Sequence, residues 1–486
     1  MAKRHTAIVV AIVVLILALI PYNRSYAADK DDQLLKNCKI TVDDTEYTVK
    51  AIDYNYKNNM YISLRDLAAS LANTTKSFNV VIAGKEVTLV SGEAYEIKEG
   101  DNEPFTDDII GGVYHSMTIA RPDMSVNNME VKYYAVNTDV AGHGSDIFMK
   151  PVDIAMALDM KIDVQDDCTL SIDTGNSFSV SMDKLEEEGY MQCFNSVIVG
   201  DSDSGDIYYA YNEDSSVAIA STTKLMNCLI VMDSIAAGNY STDSVITMNS
   251  DVEAVSVSAD GTFKMAAGST ATVNEMLRAM LLPSSNEAAL ALAIFDAGSE
   301  EAFVEKMNAK AKSLGMDNSV FVNCNGLPKF MTGNIPAKVQ NQVSAKDLFV
   351  LASHILTMYP QVTDITSLKS TVIESYGQKI KNINPLLYNI SSVDGMKTGE
   401  TKRAGACLVS SMKVSGGDTD SHIVAVVLGA EGAEEQTRGS ELLLRYGRAC
   451  YNADNGISEE SDNDDEIPLN MNGVVTKILK HLKNKQ

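Results

Sequence analysis

The chain has 486 residues, too many for one compact core, so two or three domains are expected. An apolar share of 45% is ordinary for globular protein and allows a sizeable buried core. The net charge of −25 argues against nucleic acid as a partner, because phosphate backbones are met with lysine and arginine; the acidic surface reads as a solubility feature.

Residues 1–28 read as an export signal. Lys3, Arg4 and His5 form a basic start, Ala7 to Ile20 is an apolar run, and Ser25-Tyr26-Ala27 offers small residues for cleavage. The run is short for a spanning helix, which needs about 20 residues. The expected location is therefore the cell wall or the outer face of the membrane, with an uncleaved anchor as the alternative. Seven cysteines, at 38, 168, 193, 228, 324, 407 and 450, include no Cys-x-x-Cys pair. Their odd number and scatter predict no disulfide framework and at least one free thiol. The six histidines show no metal-ligand spacing, and no metal or cofactor is called for.

Residues 29–178 alternate short strand-like runs with turns. Two stretches in this region are alike: Asn59 to Ala68 and Asp146 to Ala155 each read as a strand turning into an amphipathic helix with Asp near its start, followed by more strand. They form a pseudo-repeat. The phrase Tyr61-Ile62-Ser63-Leu64-Arg65-Asp66-Leu67-Ala68 resembles the copper amine oxidase N-terminal-like domain of exported bacterial proteins. Only His115 and His143 fall in the region, so no copper binding is expected, and a spacer or wall-contacting module is the reading.

A charged segment, Asp183 to Glu188, precedes a change of pattern. Asn195 to Gly200 and Asp206 to Tyr211 form a hairpin, and helices follow at about 222–236, 273–282, 286–297 and 300–314. Val393 to Lys397, Ala404 to Val414 and His422 to Leu428 read as strands and Glu434 to Tyr451 as a closing helix. Early and late strands must then meet in one sheet, an α+β arrangement. Residues 451–486 split into an acidic linker, Ser458 to Glu466, and a short helix. Val474, Val475, Ile478, Leu479 and Leu482 line one face of that helix and Lys477, Lys480, Lys483 and Lys485 the other. Such a basic amphipathic pattern over 471–486 suits weak contact with an anionic membrane.

The chemistry sits in three short motifs. Ser-x-x-Lys occurs at Ser181, Ser221 and Ser410, and roughly two matches are expected by chance in a chain this long. Ser221-Thr222-Thr223-Lys224 differs from the others in its setting: a small apolar run precedes it and the apolar segment Leu225 to Met232, which includes Cys228, follows. Position i+3 of a helix shares a face with i, so Lys224 can lie beside the Ser221 hydroxyl. Lysine acts as a base only when burial or a second cation lowers its pKa, and the apolar helix and Lys397 are expected to supply both. Ser284-Ser285-Asn286 follows Pro283, where a helix must stop. Ser284 suits a proton carrier to a leaving amine, and Asn286 has a donor and an acceptor with which to hold a substrate amide and orient Lys224. The same three residues also read as a helix cap. Lys397-Thr398-Gly399 is the only such triplet in the chain. Lys397 and Thr398 suit a substrate carboxylate, and Gly399 lets a substrate backbone lie close. The N–H groups of Ser221 and Glu400 are the expected oxyanion hole, where one donor contributes about 3 kcal/mol.

With these residues in place, residues 190–450 resemble the low-molecular-mass penicillin-binding proteins, serine-type D-alanyl-D-alanine carboxypeptidases. The likeness extends through Leu282-Pro283-Ser284-Ser285-Asn286-Glu287-Ala288-Ala289, Leu314-Gly315-Met316, Asn325-Gly326-Leu327 and Val393 to Gly399. It implies the β-lactamase and transpeptidase fold: an antiparallel sheet flanked by helices plus a helical subdomain, here preceded by a smaller α+β domain. It further implies cell-wall stem peptides ending in D-Ala-D-Ala as substrate and acylation by β-lactams. Carried over, Ser221 is the nucleophile and Lys224 the base. Ser284 and Asn286 are the relay, and Lys397 is the carboxylate anchor. Ser285 and Glu287 replace the more usual Gly and Asp, and Met331 to Ser344 lacks the His often seen after the Gly-Leu turn. The alternatives are a D,D-endopeptidase, a β-lactamase of the same fold, and a catalytically inert wall-binding protein. Against the β-lactamase, no Glu motif for activating water stands between Asn308 and Val343.

Overall fold

The computed structural model of the protein describes residues 34–457 apart from 54–59, 107–122, 127–128, 134, 141–143, 167, 177, 179–181, 188–189, 332–336 and 416–420. The export signal, the acidic linker, the basic helix, His115 and His143 lie outside the described residues. Among those described, no helix is long and apolar enough to cross a membrane.

The N-terminal part builds two sheets. The larger has seven strands in the order β10-β11-β1-β2-β3-β9-β8. These are β1 (Leu34–Val42), β2 (Thr45–Asp53), β3 (Met60–Ser63), β8 (Ala135–Val140), β9 (Gly144–Met149), β10 (Lys161–Asp166) and β11 (Thr169–Asp173). A second sheet joins β4 (Phe78–Ala83), β5 (Glu86–Ser91), β6 (Asp123–Val126) and β7 (Met129–Val131). The two similar stretches become β3 leading into α1 (Leu64–Leu71) and β9 leading into α2 (Pro151–Ala157). Strands β3 and β9 pair antiparallel, with Ile62 opposite Met149. Asp66 and Asp153 occupy equivalent first-turn positions, but their partners differ. Asp66 accepts from the Lys50 backbone and side chain, both at 2.7 Å, within the same domain. Asp153 turns outward, to Arg438.

The absence of any disulfide framework needs correcting in one place: Cys38 and Cys168 form a disulfide across a sequence separation of 130. No local spacing announces it. Parallel pairing of β1 with β11 sets Lys39 opposite Thr169 and so brings the two preceding cysteines side by side. Cys193, Cys228, Cys324, Cys407 and Cys450 take part in no disulfide among the described residues.

The second part is organised by a five-stranded antiparallel sheet in the order β13-β12-β16-β15-β14. Its strands are β12 (Ser196–Asp201), β13 (Ile207–Tyr211), β14 (Val393–Thr401), β15 (Gly405–Val414) and β16 (Ser421–Ala430). A strand covered on both faces carries an apolar run instead of alternating. Strand β16 shows this: Ile423, Ala425 and Val427 enter one core and Val424, Val426 and Leu428 the other. The second core is closed by α3 (Lys224–Ala236), α4 (Val273–Leu281), α5 (Asn286–Ala297), α6 (Glu300–Ser313) and α7 (Ala345–Met358). The helix α7 is absent from the sequence reading; Ser344, accepting from Asp347 N as its cap, is the signal for it. On the opposite face lies α8 (Ala433–Asp454). Gly447 lets it approach, since a Cβ there would stand 2.5 Å from Ile423 Cγ2.

The core beneath α8 is continuous with that of the N-terminal domain. Buried charges cross the boundary. Arg438 donates from Nε and Nη2 to the two carboxylate oxygens of Asp153, at 2.7 and 2.8 Å, and from Nη2 to Glu434 at 2.8 Å. Tyr61 donates to Glu434 at 2.6 Å and Tyr133 to Glu441 at 2.7 Å. Removing one member of a buried pair leaves the other desolvated and alone. Arg438→Ala is therefore expected to lower stability by about 3 kcal/mol or more in urea unfolding of the full chain. An unchanged midpoint would show that the pair does not hold the domains together.

Candidate active site

Local sequence shapes the turn that presents Ser221. Ala220–Thr223 is a single turn of 3-10 helix feeding α3. The Thr222 and Thr223 hydroxyls donate back to the Ile219 and Ala220 carbonyls at 2.7 and 2.8 Å, which holds the turn tight. Ala220 has φ 48°, a left-handed conformation that costs a residue with a Cβ roughly 1–2 kcal/mol. Ser284 is in the same region at φ 67°. Strain of this kind persists where surrounding structure over-determines the backbone, and here it falls beside Ser221 and at Ser284.

The Ser284-Ser285-Asn286 segment divides its roles by position. Ser285 is the cap of α5, accepting from Ala288 N at 3.0 Å. Ser284 and Asn286, on either side, turn to Lys224. The cap and the reactive site therefore coexist in one tripeptide.

Lys224 is wholly buried at the centre. Its Nζ lies 2.8 Å from Ser221 Oγ and 3.3 Å from Ser284 Oγ. It donates to Asn286 Oδ1 at 2.8 Å and to the Asn325 carbonyl at 3.1 Å. A neutral amine has two hydrogens and one lone pair. The two carbonyl acceptors use both hydrogens, which leaves the lone pair for the Ser221 hydroxyl. Burial pushes the Lys224 pKa down to about 7, against the opposing influence of Cys324 and Glu287. Lys397, itself buried, is held well below the usual lysine range first by desolvation and then by the charge of Lys224, a repulsion that acts on both lysines.

The Asn325 carbonyl is a site group the sequence reading did not assign, since a backbone acceptor has no side-chain signature. Its loop is fastened by side-chain amides. Asn341 accepts from Val322 N and Asn323 N and donates to Thr223 Oγ1 at 2.8 Å, while Asn323 accepts from Gly326 N at 2.7 Å. The segment that lacks the expected His thus supplies Asn341.

Lys397, Thr398 and Gly399 lie inside β14, which continues to Thr401 instead of ending at the motif. Strand β14 is at the sheet edge, so one row of its backbone groups has no strand partner. Lys397 donates to the Thr398 carbonyl at 2.9 Å, and Glu400 is exposed just beyond Gly399. Gly399 serves the protein before any substrate: a Cβ there would stand 2.8 Å from Ser221 N and 2.9 Å from Thr222 N. Its lack of a side chain lets the Ser221 turn sit against β14. Of the other two Ser-x-x-Lys matches, Ser410 lies within β15 and donates to the Ala425 carbonyl, and Ser181 is outside the described residues.

The family model for D-alanyl-D-alanine carboxypeptidase, the S11 peptidases, matches residues 189–432. The D-alanyl-D-alanine carboxypeptidase DacF of Bacillus subtilis is 32% identical over 260 residues, covering 53% of this chain and 62% of that protein. A D-alanyl-D-alanine endopeptidase of Pseudomonas aeruginosa is 32% identical over 258 residues, covering 52% of this chain and 76% of that protein. Among solved structures, penicillin-binding protein D2 of Listeria monocytogenes in its ampicillin-bound form is similar at 29% identity. Its TM-score is 0.45, with 52% of this chain and 97% of that one covered. The chain thus spans less than two thirds of the carboxypeptidase DacF.

Two outcomes test the geometry. The rate of Ser221 acylation should rise with pH through about 7, as Lys224 gives up its proton, and level off above. A rate flat from pH 5 to 9 would remove Lys224 as the titrating base. Gly399→Ala should slow acylation by about 100-fold or more, as expected when one oxyanion donor is displaced; wild-type rates would show that the turn does not depend on that contact.

Proposed function

The chain belongs to the D-alanyl-D-alanine carboxypeptidase family of serine peptidases, and on that premise we propose that it removes the terminal D-Ala from peptidoglycan stem peptides through an acyl-enzyme on Ser221. The observation that carries this reading is the buried Lys224, whose Nζ lies 2.8 Å from both Ser221 Oγ and Asn286 Oδ1 and 3.1 Å from the Asn325 carbonyl.

The substrate backbone lies along the open edge of β14 as an added strand. Its carboxylate meets Lys397 and Thr398 and supplies the counter-charge that the buried Lys397 lacks. Neutral Lys224 takes the Ser221 proton as Oγ attacks the carbonyl carbon between the two D-Ala residues. The oxyanion is received by the N–H groups of Ser221 and Glu400. Ser284 Oγ passes the proton from Lys224 to the departing amine, so that D-Ala leaves neutral at nitrogen and Ser221 carries the ester. Water, deprotonated by Lys224, then attacks the ester, and the proton returns to Ser221. A β-lactam carbonyl enters the same path, but its amine stays tethered to the acyl group and blocks the water.

Cleavage of D-Ala cross-links by the same site is a second reading, and the endopeptidase similarity at 32% identity favours keeping it. Residues 34–178 carry none of the motif residues and are fastened to α8 on the sheet face opposite the active-site helices. That placement supports their role as a spacer or wall-contacting module, with export to the cell wall as the setting.

Incubation of residues 29–486 with penicillin should give a long-lived adduct that peptide mapping assigns to Ser221, and Ser221→Ala should give none. Lys224→Ala should slow adduct formation by about 10²–10⁴-fold, the ordinary contribution of a general base. Consumption of the drug without an adduct would point to a β-lactamase. Neither adduct nor turnover would favour an inert wall-binding protein. Release of free D-Ala from a pentapeptide, set against cleavage of a cross-linked dimer, separates the two peptidase readings.

A further inference from the structure

Glu287 is the one buried carboxylate at the site that this chemistry leaves without a task. It occupies the first turn of α5 and has no exposure. Its Oε1 accepts from Thr262 N at 2.9 Å and Phe263 N at 2.8 Å, while Oε2 is buried with no hydrogen-bond partner among the described residues. A carboxylate buried at that cost needs a reason.

The loop that Glu287 grips, residues 257–265, is tied within itself by Asp260 N donating to Ser258 Oγ and Gly261 N to the Ser258 carbonyl, both at 3.2 Å, and is clasped to its surroundings near its ends. Ser256 Oγ accepts from Met265 N at 3.1 Å, and Phe263 packs edge-on against Tyr376 at 5.6 Å. Between them the loop makes one further contact with the reactive centre: Asn286 Nδ2 donates to the Asp260 carbonyl at 2.8 Å. That bond decides which way the Asn286 amide faces. With Nδ2 committed to Asp260, Oδ1 is presented to Lys224. Without it, the amide is free to rotate and offer Lys224 a donor, which an amine hydrogen cannot use.

We propose that Glu287 is a positioning residue of the acyl-transfer centre, fastening loop 257–265 so that the Asp260 carbonyl fixes the Asn286 amide against Lys224. Its charge acts on the same amine. The ionisable groups that bear on Lys224 are Glu287 and Cys324, which favour its protonated form, and Lys397, which repels it. Glu287 thus offsets part of the desolvation that would otherwise push Lys224 further down.

The inference rests on the acyl-transfer reading, so its test avoids turnover. Full-length protein labelled with ¹³C-lysine, with Lys224 assigned through Lys224→Ala, reports the Lys224 titration directly by NMR. Glu287→Gln keeps an acceptor for Thr262 and Phe263 but removes the charge, and the Lys224 midpoint should fall by about half a unit or more. In Glu287→Ala, hydrogen exchange at the Thr262 and Phe263 amides should quicken about tenfold, the change expected for one lost protecting bond, with the α5 amides unchanged. An unmoved Lys224 midpoint in Glu287→Gln together with unchanged loop exchange in Glu287→Ala would overturn the proposal. Penicillin labelling of the wild type is scored separately: its failure would sink the acyl-transfer reading and leave the Glu287 measurements standing.

Discussion

A lysine side chain with no exposure to water is expensive, and the active site is built around making that burial useful. Lys224 loses hydration, so its neutral form becomes accessible near pH 7. The protein then has to satisfy a neutral amine: two acceptors and one donor. Asn286 Oδ1 and the Asn325 carbonyl are the acceptors, and Ser221 Oγ lies 2.8 Å from the same nitrogen, placed to donate to it once it is neutral. Each lies on a different stretch of chain, so this one amine sets the mutual placement of the Ser221 turn, the start of α5 and the loop after α6.

Around that point the scaffold removes freedom. Threonine hydroxyls tighten the turn at Ser221, Ser285 caps α5 so that its neighbours are held in place, and Asn341 ties the 322–327 loop to Thr223. The Ala220 and Ser284 conformations are the local cost of aiming those groups. Preorganisation of this kind lets charge develop during acyl transfer without reorganising the surroundings.

The five-stranded sheet is covered on both faces, and the two covers have different duties. In the cover formed by α3 to α7, α3 carries Lys224 and α5 carries Asn286. Helix α8 covers the far face and joins the N-terminal domain through one continuous core and a set of buried ion pairs. The N-terminal domain is therefore fixed to the catalytic sheet through packing as well as through the chain connection. The disulfide between Cys38 and Cys168 closes its larger sheet at the parallel β1–β11 seam.

Much of this was legible from residues alone, where a signal is local. Ser221 and Lys224 share a face because they are three apart on a helical turn. The apolar stretch at 423–428 marks a strand buried on both sides, and Pro283 marks the break that exposes Ser284. The trio Ser221–Lys224, Ser284–Asn286 and Lys397–Gly399 suggested acyl-transfer chemistry by its resemblance to a known family, and the fold brings Ser221, Ser284 and Asn286 around Lys224. What tertiary structure decided are the pairings between distant segments. These include the Asn325 carbonyl at Lys224, the Glu287 grip on Thr262 and Phe263, Gly399 beneath Ser221 N, and Arg438 on Asp153. So too is the disulfide. Each depends on a backbone atom or on a partner more than twenty residues away, and neither leaves a periodicity or composition that a single sequence displays. Helical and strand periods are imposed by nearest-neighbour geometry and can be read along the chain; long-range contacts are settled only when the folded core brings those segments together.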